Sequence, residues 1–349
     1  MNRVYIPAAM TSPPRAPDHG VLQHLHGLTM GTSWSVKLLL PPALAIQTIH
    51  AGIQQQLDEV VAQMSHWDPD SDLSCFNRTT AGQWHQTPPG MFAVVDCALR
   101  VAQASGGAYD PTIGALVNRW GFGPSTPGQA EPSRSKVPDA DEIAALRSRA
   151  GWQRIQLDRA QSRIFQPGGI ALDLSSIAKG YGVDQVARYL QSMQIASYLV
   201  EVGGELRGQG LKADGQPWWV ALEQPPSPDT ANIQASDTSV TGAAIAALYG
   251  LSIATSGDYL RYFEVDGKRY SHTIDPRSGY PIAHGLAAVT VLHSECMMAD
   301  ALATALMVLG TEAGMVLAQR LQLAAVFTEP GAQSGFAERL SPAMQAMLE

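Results

Sequence analysis

The chain has 349 residues, 45% hydrophobic and 15% charged, enough for one large domain or two medium ones with real cores. Lys plus Arg number 23 against 31 Asp plus Glu, a formal charge of −8. That balance argues against general nucleic-acid binding and against a polybasic membrane anchor. The apolar content rules out disorder over most of the chain, and 32 glycines and 23 prolines predict many turns.

Cys75, Cys97 and Cys296 lie far apart and form no CxxC pair. Free thiols in a reducing compartment are expected, not a zinc ribbon or a disulfide framework. No apolar run approaches the ~20 residues that span a bilayer, so no transmembrane segment is expected. Residues 1–27 read as a flexible leader, and 28–349 as a single domain. The leader has neither an apolar stretch of signal-peptide length nor a lipoprotein cysteine. As written the chain points to the cytoplasm, or to the periplasm if a signal or lipoprotein segment was removed.

The elements follow in chain order. A strand is predicted over 33–40. Ile46, Ile49, Ile53, Leu57, Val60 and Met64 recur at three and four, which predicts an amphipathic helix over about 43–65. A second helix, 88–104, starts on proline, as first turns allow. A Pro- and Ser-rich stretch near 124–141 reads as a surface loop. A helix over 139–149 and a strand over 153–157 come next. A helix starting near Ser175 carries Val183, Val186, Leu190 and Met193. Strands are predicted over 197–202 and 218–223, then a second surface loop near 224–241. A strand over 259–265 ends on Asp266-Gly267, a hairpin turn signal. A strand over 287–292, a helix over 299–309 and a strand over 323–328 complete the set. Hairpins mixed with helices predict an α+β fold with mixed, largely antiparallel sheets.

The familiar chemical signatures do not occur. There is no GxxxxGK[ST], no GxGxxG after a strand, no HExxH and no GxSxG, which disfavours common kinase, Rossmann, zinc-protease and serine-hydrolase readings. What stands out is a series of polar and glycine-rich islands. They run Met30-Gly31-Thr32, Ser65-His66-Trp67-Asp68, and Gly106-Gly107-Ala108-Tyr109-Asp110-Pro111-Thr112, the last followed by Trp120-Gly121-Phe122-Gly123. Then come Asp173-Leu174-Ser175-Ser176-Ile177-Ala178-Lys179-Gly180, Val202-Gly203-Gly204-Glu205, Ala254-Thr255-Ser256-Gly257-Asp258-Tyr259, His272 to Pro281, and Asp300-Ala301-Leu302-Ala303-Thr304.

Asp300 and Thr304 are i and i+4 on a predicted helix and so share a face. A carboxylate and a hydroxyl there can hold a hard, oxygen-seeking cation; equally, Asp300 can cap the helix. Lys179 lies at a helix start, where amides and one ammonium make an anion site, or it is a solvated surface residue. Trp67 and Tyr109 are either core or stacking faces. Asp110, before a proline, fits a turn. His272 or Asp275 could take a proton from a hydroxyl, or Asp275 and Arg277 only build a turn. The remaining histidines show no ligand spacing.

In their order, these islands resemble one family, the ApbE-type FAD:protein FMN transferases. DPTIGALVNRWGFG, SSIAKGYGVD, TSGDY and ADALAT carry the likeness, which runs from about Met30 to Gly310. The resemblance implies two interleaved lobes with an FAD cleft between them. It implies Mg2+-dependent transfer of the FMN half of FAD to a Ser or Thr hydroxyl of a flavoprotein loop, with release of AMP. The acceptor on this reading could be a subunit of a redox-driven ion pump. It also implies that Asp300, Thr304 and a backbone oxygen at Ser176 hold Mg2+. Met30, Trp67, Ala108, Tyr109, Asp110, Asp173, Lys179 and Ile253 would contact FAD. Position 67 is usually Tyr in the family, and Trp here offers a larger face. Catalysis would fall to Lys179 with His272 or Asp275. Hydrolysis of FAD to FMN and AMP, or flavin carriage without turnover, are the other readings, and the residues alone do not separate the two enzymatic ones.

Overall fold

A computed structural model describes residues 3–7, 10, 20–124, 137–225, 244–259, 261–331 and 335–348. Eight strands make its main sheet: β1 (Val21–Thr29), β2 (Thr32–Leu40), β3 (Tyr198–Val202), β4 (Glu205–Gln209), β5 (Leu251–Gly257), β6 (Ala288–His293), β7 (Ala324–Pro330) and β8 (Phe336–Leu340). Each pairs antiparallel with the next, so the order across the sheet is the order along the chain. Apart from the stretches at either end, the other elements are excursions between strands that are already neighbours. The α+β class with largely antiparallel sheets is as expected.

The sheet is covered on both faces, which is why β6 and β7 are buried in continuous runs without alternation. Val291 and Phe327 join the core under the helices, whereas Leu292 and Val326 join the core on the opposite face. Four helices matter for the site: α1 (Ile46–Met64), α2 (Pro89–Ala104), α3 (Ala178–Ser192) and α4 (Cys296–Arg320). α1 buries Ile49, Ile53, Leu57, Val60 and Met64 of the predicted stripe, while Ile46 at its start is half-buried. The opposite face of the sheet packs on a small sheet that includes Trp218–Ala221 and Ile245–Leu248.

Residues 21–27, expected in a leader, form most of β1. As an edge strand it buries only Leu25 and Thr29, so its polar, histidine-rich sequence carries little strand signal. Tyr5 is fully buried on the far face, and Ile6 N–H donates to Met347 O at 2.8 Å. Of the loops expected near 124–141 and 224–241, residues 125–136 and 226–243 lie outside the described residues. Asp139 caps a helix at Ala140–Arg149. The strand expected over 153–157 is instead a 3-10 turn at Trp152–Arg154 followed by Gln156–Asp158. The Asp158 carboxylate accepts the amides of Ala160 and Gln161, tightening the hairpin one step later than the apolar pattern suggested.

Helix α4 runs far beyond the predicted 299–309 and kinks at Gly310 (φ 72°). It is long and apolar enough to cross a membrane by length and composition, yet 61% of its most apolar stretch is buried inside the molecule. It packs on β5, β6, α2 and α3, and a helix surrounded by protein is apolar all round. The excursion between β5 and β6 carries the hairpin Tyr262–Val265 with Lys268–Ser271, closed by Asp266 and Gly267 at φ 51° and 72° as predicted. Its Phe263 and Ile274 share a separate small core with Leu116, Trp120 and Ile143, from a distant stretch of chain.

Candidate active site

Helices α3 and α4 cross at their N-terminal ends. A helix start leaves amides without intrahelical partners. Here Asp184 of α3 accepts the amides of Cys296 and Met297, both at 3.0 Å, and pairs with Arg207 at 3.1 Å. Gly180 N–H donates to Asp300 Oδ2 at 3.0 Å. A Cβ on Gly180 would lie 2.5 Å from Cys296 O and 2.9 Å from Asp300 Cβ, so only glycine permits this crossing.

The crossing sets Lys179 beside a buried carboxylate pair. Its Nζ donates to Glu205 Oε1 at 2.6 Å, and a third of its side chain is exposed. Burial works against the ammonium, but Glu205 and Asp300 outweigh it and keep Lys179 charged. Asp300 is 7% exposed, and burial pushes its carboxyl above the usual range, against Lys179 and the Gly180 amide. Among the described residues nothing donates to its Oδ1. Thr304 lies one turn further along α4, half-buried. Lys179, Glu205 and Ile253 share the wall of a cavity of about 340 Å³, together with Glu201, Glu223 and Thr255.

Other expected residues gather around this point. Ser176 Oγ donates to the Tyr109 phenol at 3.3 Å. Asp173 accepts the Ser175 amide at 2.8 Å and lies 3.7 Å from His66 Nδ1. The His66 and Trp67 rings are 5.4 Å apart. Trp67 is 63% exposed, which excludes the core reading for it. Met30 sits in the β1–β2 turn at φ 48° and reaches α3 beside Gly182.

The remainder divide. Ala108 and Tyr109 are buried, and burial raises the phenol. Asp110 spends its carboxylate on the Thr112 amide and hydroxyl (2.8 and 2.6 Å) and on the Trp152 amide (3.1 Å), so it fastens a loop. Asp275 accepts the Arg277 backbone amide and both arms of its guanidinium, each at 2.9 Å. Its carbonyl accepts the amides of Ser278 and Gly279. This carboxylate holds a turn, as its turn reading required. His272 differs. Its Nδ1 lies 3.0 Å from Arg261 O, and a carbonyl only accepts, so Nδ1 carries the proton and Nε2 the lone pair. Burial lowers its pKa to about 4; the bond to the Arg261 carbonyl works against this, and the charges of Arg261 and Lys179 push the same way as burial.

The sequence profile of the ApbE family matches residues 30–327, a span that includes every residue of the site. The chain belongs to the ApbE family. An FAD:protein FMN transferase of Vibrio cholerae is 43% identical over 86% of this chain and 85% of its own. Another, of Haemophilus influenzae, is 37% identical over 93% and 91%. The structure of Pseudomonas stutzeri flavinyl transferase ApbE superposes with a TM-score of 0.82 at 38% identity, covering 94% of this chain and 97% of that one.

Within this ApbE fold, three supporting residues escaped the sequence reading. Glu205 stands in a Gly-Gly-Glu island that was visible but had no role. Asp184 closes the SSIAKGYGVD motif, where a polar residue among Val183 and Val186 was the signal. Gly180 was readable only as a helix start, because the clash it avoids comes from a helix more than a hundred residues away.

Proposed function

We propose that the chain transfers the FMN moiety of FAD to a Ser or Thr hydroxyl of a protein acceptor, with Mg2+, releasing AMP. Family membership supports the transfer. The observation that carries the site is the crossing of α3 and α4, which sets one ammonium and one buried, half-satisfied carboxylate side by side.

The donor set suits the metal. Among the described residues no group of three His, Cys, Asp or Glu could form a zinc-type cage. Asp300 offers a free carboxylate oxygen, Thr304 a hydroxyl on the same face, and Ser176 a backbone oxygen nearby in this reading. Mg2+ accepts so sparse a set because it keeps waters and takes phosphate oxygens. When bound it supplies charge neutralisation at the diphosphate. Lys179 adds a fixed positive charge there. The acceptor oxygen forms a bond to the FMN phosphorus, the bond from that phosphorus to the AMP oxygen breaks, and the hydroxyl proton passes to His272 Nε2. The acceptor we propose is an exposed flavoprotein loop, with subunits of redox-driven ion pumps the first to test.

Incubation with FAD, Mg2+ and a Thr-bearing acceptor should add the mass of FMN to the acceptor, and chelation should abolish the gain reversibly. Release of AMP and free FMN with no acceptor modified would establish the hydrolase instead. Absence of AMP would leave a carrier. Trp67→Ala should weaken FAD binding by roughly 1–3 kcal/mol, if its exposed ring stacks on the isoalloxazine or adenine. Fluorescence titration reads this, and an unchanged dissociation constant would remove Trp67 from the flavin site. Because His272 stays neutral down to about pH 4, the ascending limb of kcat/KM against pH should lie near 4 and not in the ordinary histidine range. A limb at pH 6–7 would assign the base elsewhere.

A further inference from the structure

Glu205 opens β4 immediately after the Gly203-Gly204 turn and is 3% exposed. Its Oε1 accepts from Lys179, while its Oε2 is buried with no hydrogen-bond partner among the described residues. A buried carboxylate with an orphaned oxygen is costly, and an apolar residue would fill the same space at less cost. The surrounding backbone is shaped to the pair. Gly203 adopts φ 58°, and a Cβ there would come within 2.7 Å of Thr32 and 3.4 Å of Lys179 Cδ. The turn therefore lies against the lysine stem and delivers Glu205 to its tip. Without that carboxylate, a four-carbon stem a third exposed could sweep the cavity wall.

We propose that Glu205 is the positioning residue for Lys179, fixing its ammonium at the cavity wall where the diphosphate of the flavin nucleotide is taken. The inference rests on the reading of Lys179 as the cation for that diphosphate. Glu205 and the diphosphate compete for one ammonium. Glu205→Gln keeps the length and the acceptor oxygen but removes the competing charge. It should bind FAD as tightly as the parent or up to about tenfold more tightly, with kcat at least about 30-fold lower. A residue that only supports the fold would lose affinity, kcat and melting temperature together.

The test uses the full chain. FAD dissociation constants are measured by fluorescence titration with and without Mg2+, and kcat and KM by FMN transfer to an acceptor. Glu205→Asp, which keeps the charge on a shorter arm, should recover part of kcat. Should the Gln variant not fold, the Asp variant decides alone: affinity unchanged and kcat lowered at least threefold supports the role. Turnover within threefold of the parent, or affinity and kcat falling in step with melting temperature, would overturn it. Lys179→Ala separates the two readings. Full affinity and turnover in that variant would end the diphosphate role of Lys179. An inactive Lys179→Ala beside an unimpaired Glu205→Gln would end only the role of Glu205.

Discussion

Replacing Asp300 by Asn is expected to lower FMN transfer at least about 100-fold while leaving the fold in place, a loss on the order of 3 kcal/mol of transition-state stabilisation. The amide is nearly the same shape, and its oxygen can still accept the Gly180 amide. What disappears is the charge. Asp300 is buried, and its free oxygen is the one anionic donor on the α4 face shared with Thr304. Loss of that charge also removes one of the two carboxylates that keep Lys179 protonated. Retention of more than a tenth of the parent rate at saturating Mg2+ would remove Asp300 from the metal site.

Gly180→Ala should be more damaging to the molecule as a whole. Its Cβ would sit 2.5 Å from a backbone oxygen and 2.7 Å from the carbonyl carbon of Cys296, and backbone cannot rotate aside as a side chain can. Helices α3 and α4 would have to part. That costs roughly 2–4 kcal/mol and breaks both the Gly180–Asp300 bond and the clamp that Asp184 makes on α4. Thermal unfolding and the transfer assay should fall together, in contrast to Asp300→Asn, where only activity falls. An unaltered melting temperature would show that the crossing has slack that its distances do not suggest.

The sequence carried much of this, unevenly. The α1 stripe and the α3 pattern are amphipathic, so period alone located them. The Asp266-Gly267 turn was legible because its left-handed conformation restricts residue choice. β1 was invisible because an edge strand facing solvent needs no apolar alternation. β4 and β5 were missed because glycine and serine interrupt strands whose neighbours supply the packing. The length of α4 was hidden in the same way, since a helix buried all round shows no stripe to follow. At the site, Lys179, Ser176 and Asp300 stood out through motif order. Single-residue chemistry could not separate Asp275 from His272: both are polar residues in one short segment, and only the contacts of Arg277 show that the carboxylate is spent on a turn. Nor could it find Glu205, whose meaning depends on a lysine from another excursion of the chain.

Tyr5 and Leu348 form an antiparallel bridge, next to the hydrogen bond from Ile6 to Met347. The first and last described stretches thus lie side by side, although β1 and β8 occupy opposite edges of the sheet. A few added residues could join these stretches covalently. The ring so formed could be reopened at the exposed turn spanning Lys212 and Gln216, where Lys212 N–H donates to Gln216 O. A circularly permuted chain of this kind keeps every pairing of the main sheet and leaves α3 and α4 each whole, on opposite sides of the new join, so that their crossing would then hold the two joined stretches together. Fusion partners attached at the rewired ends would then leave the molecule from that turn, between β4 and β5.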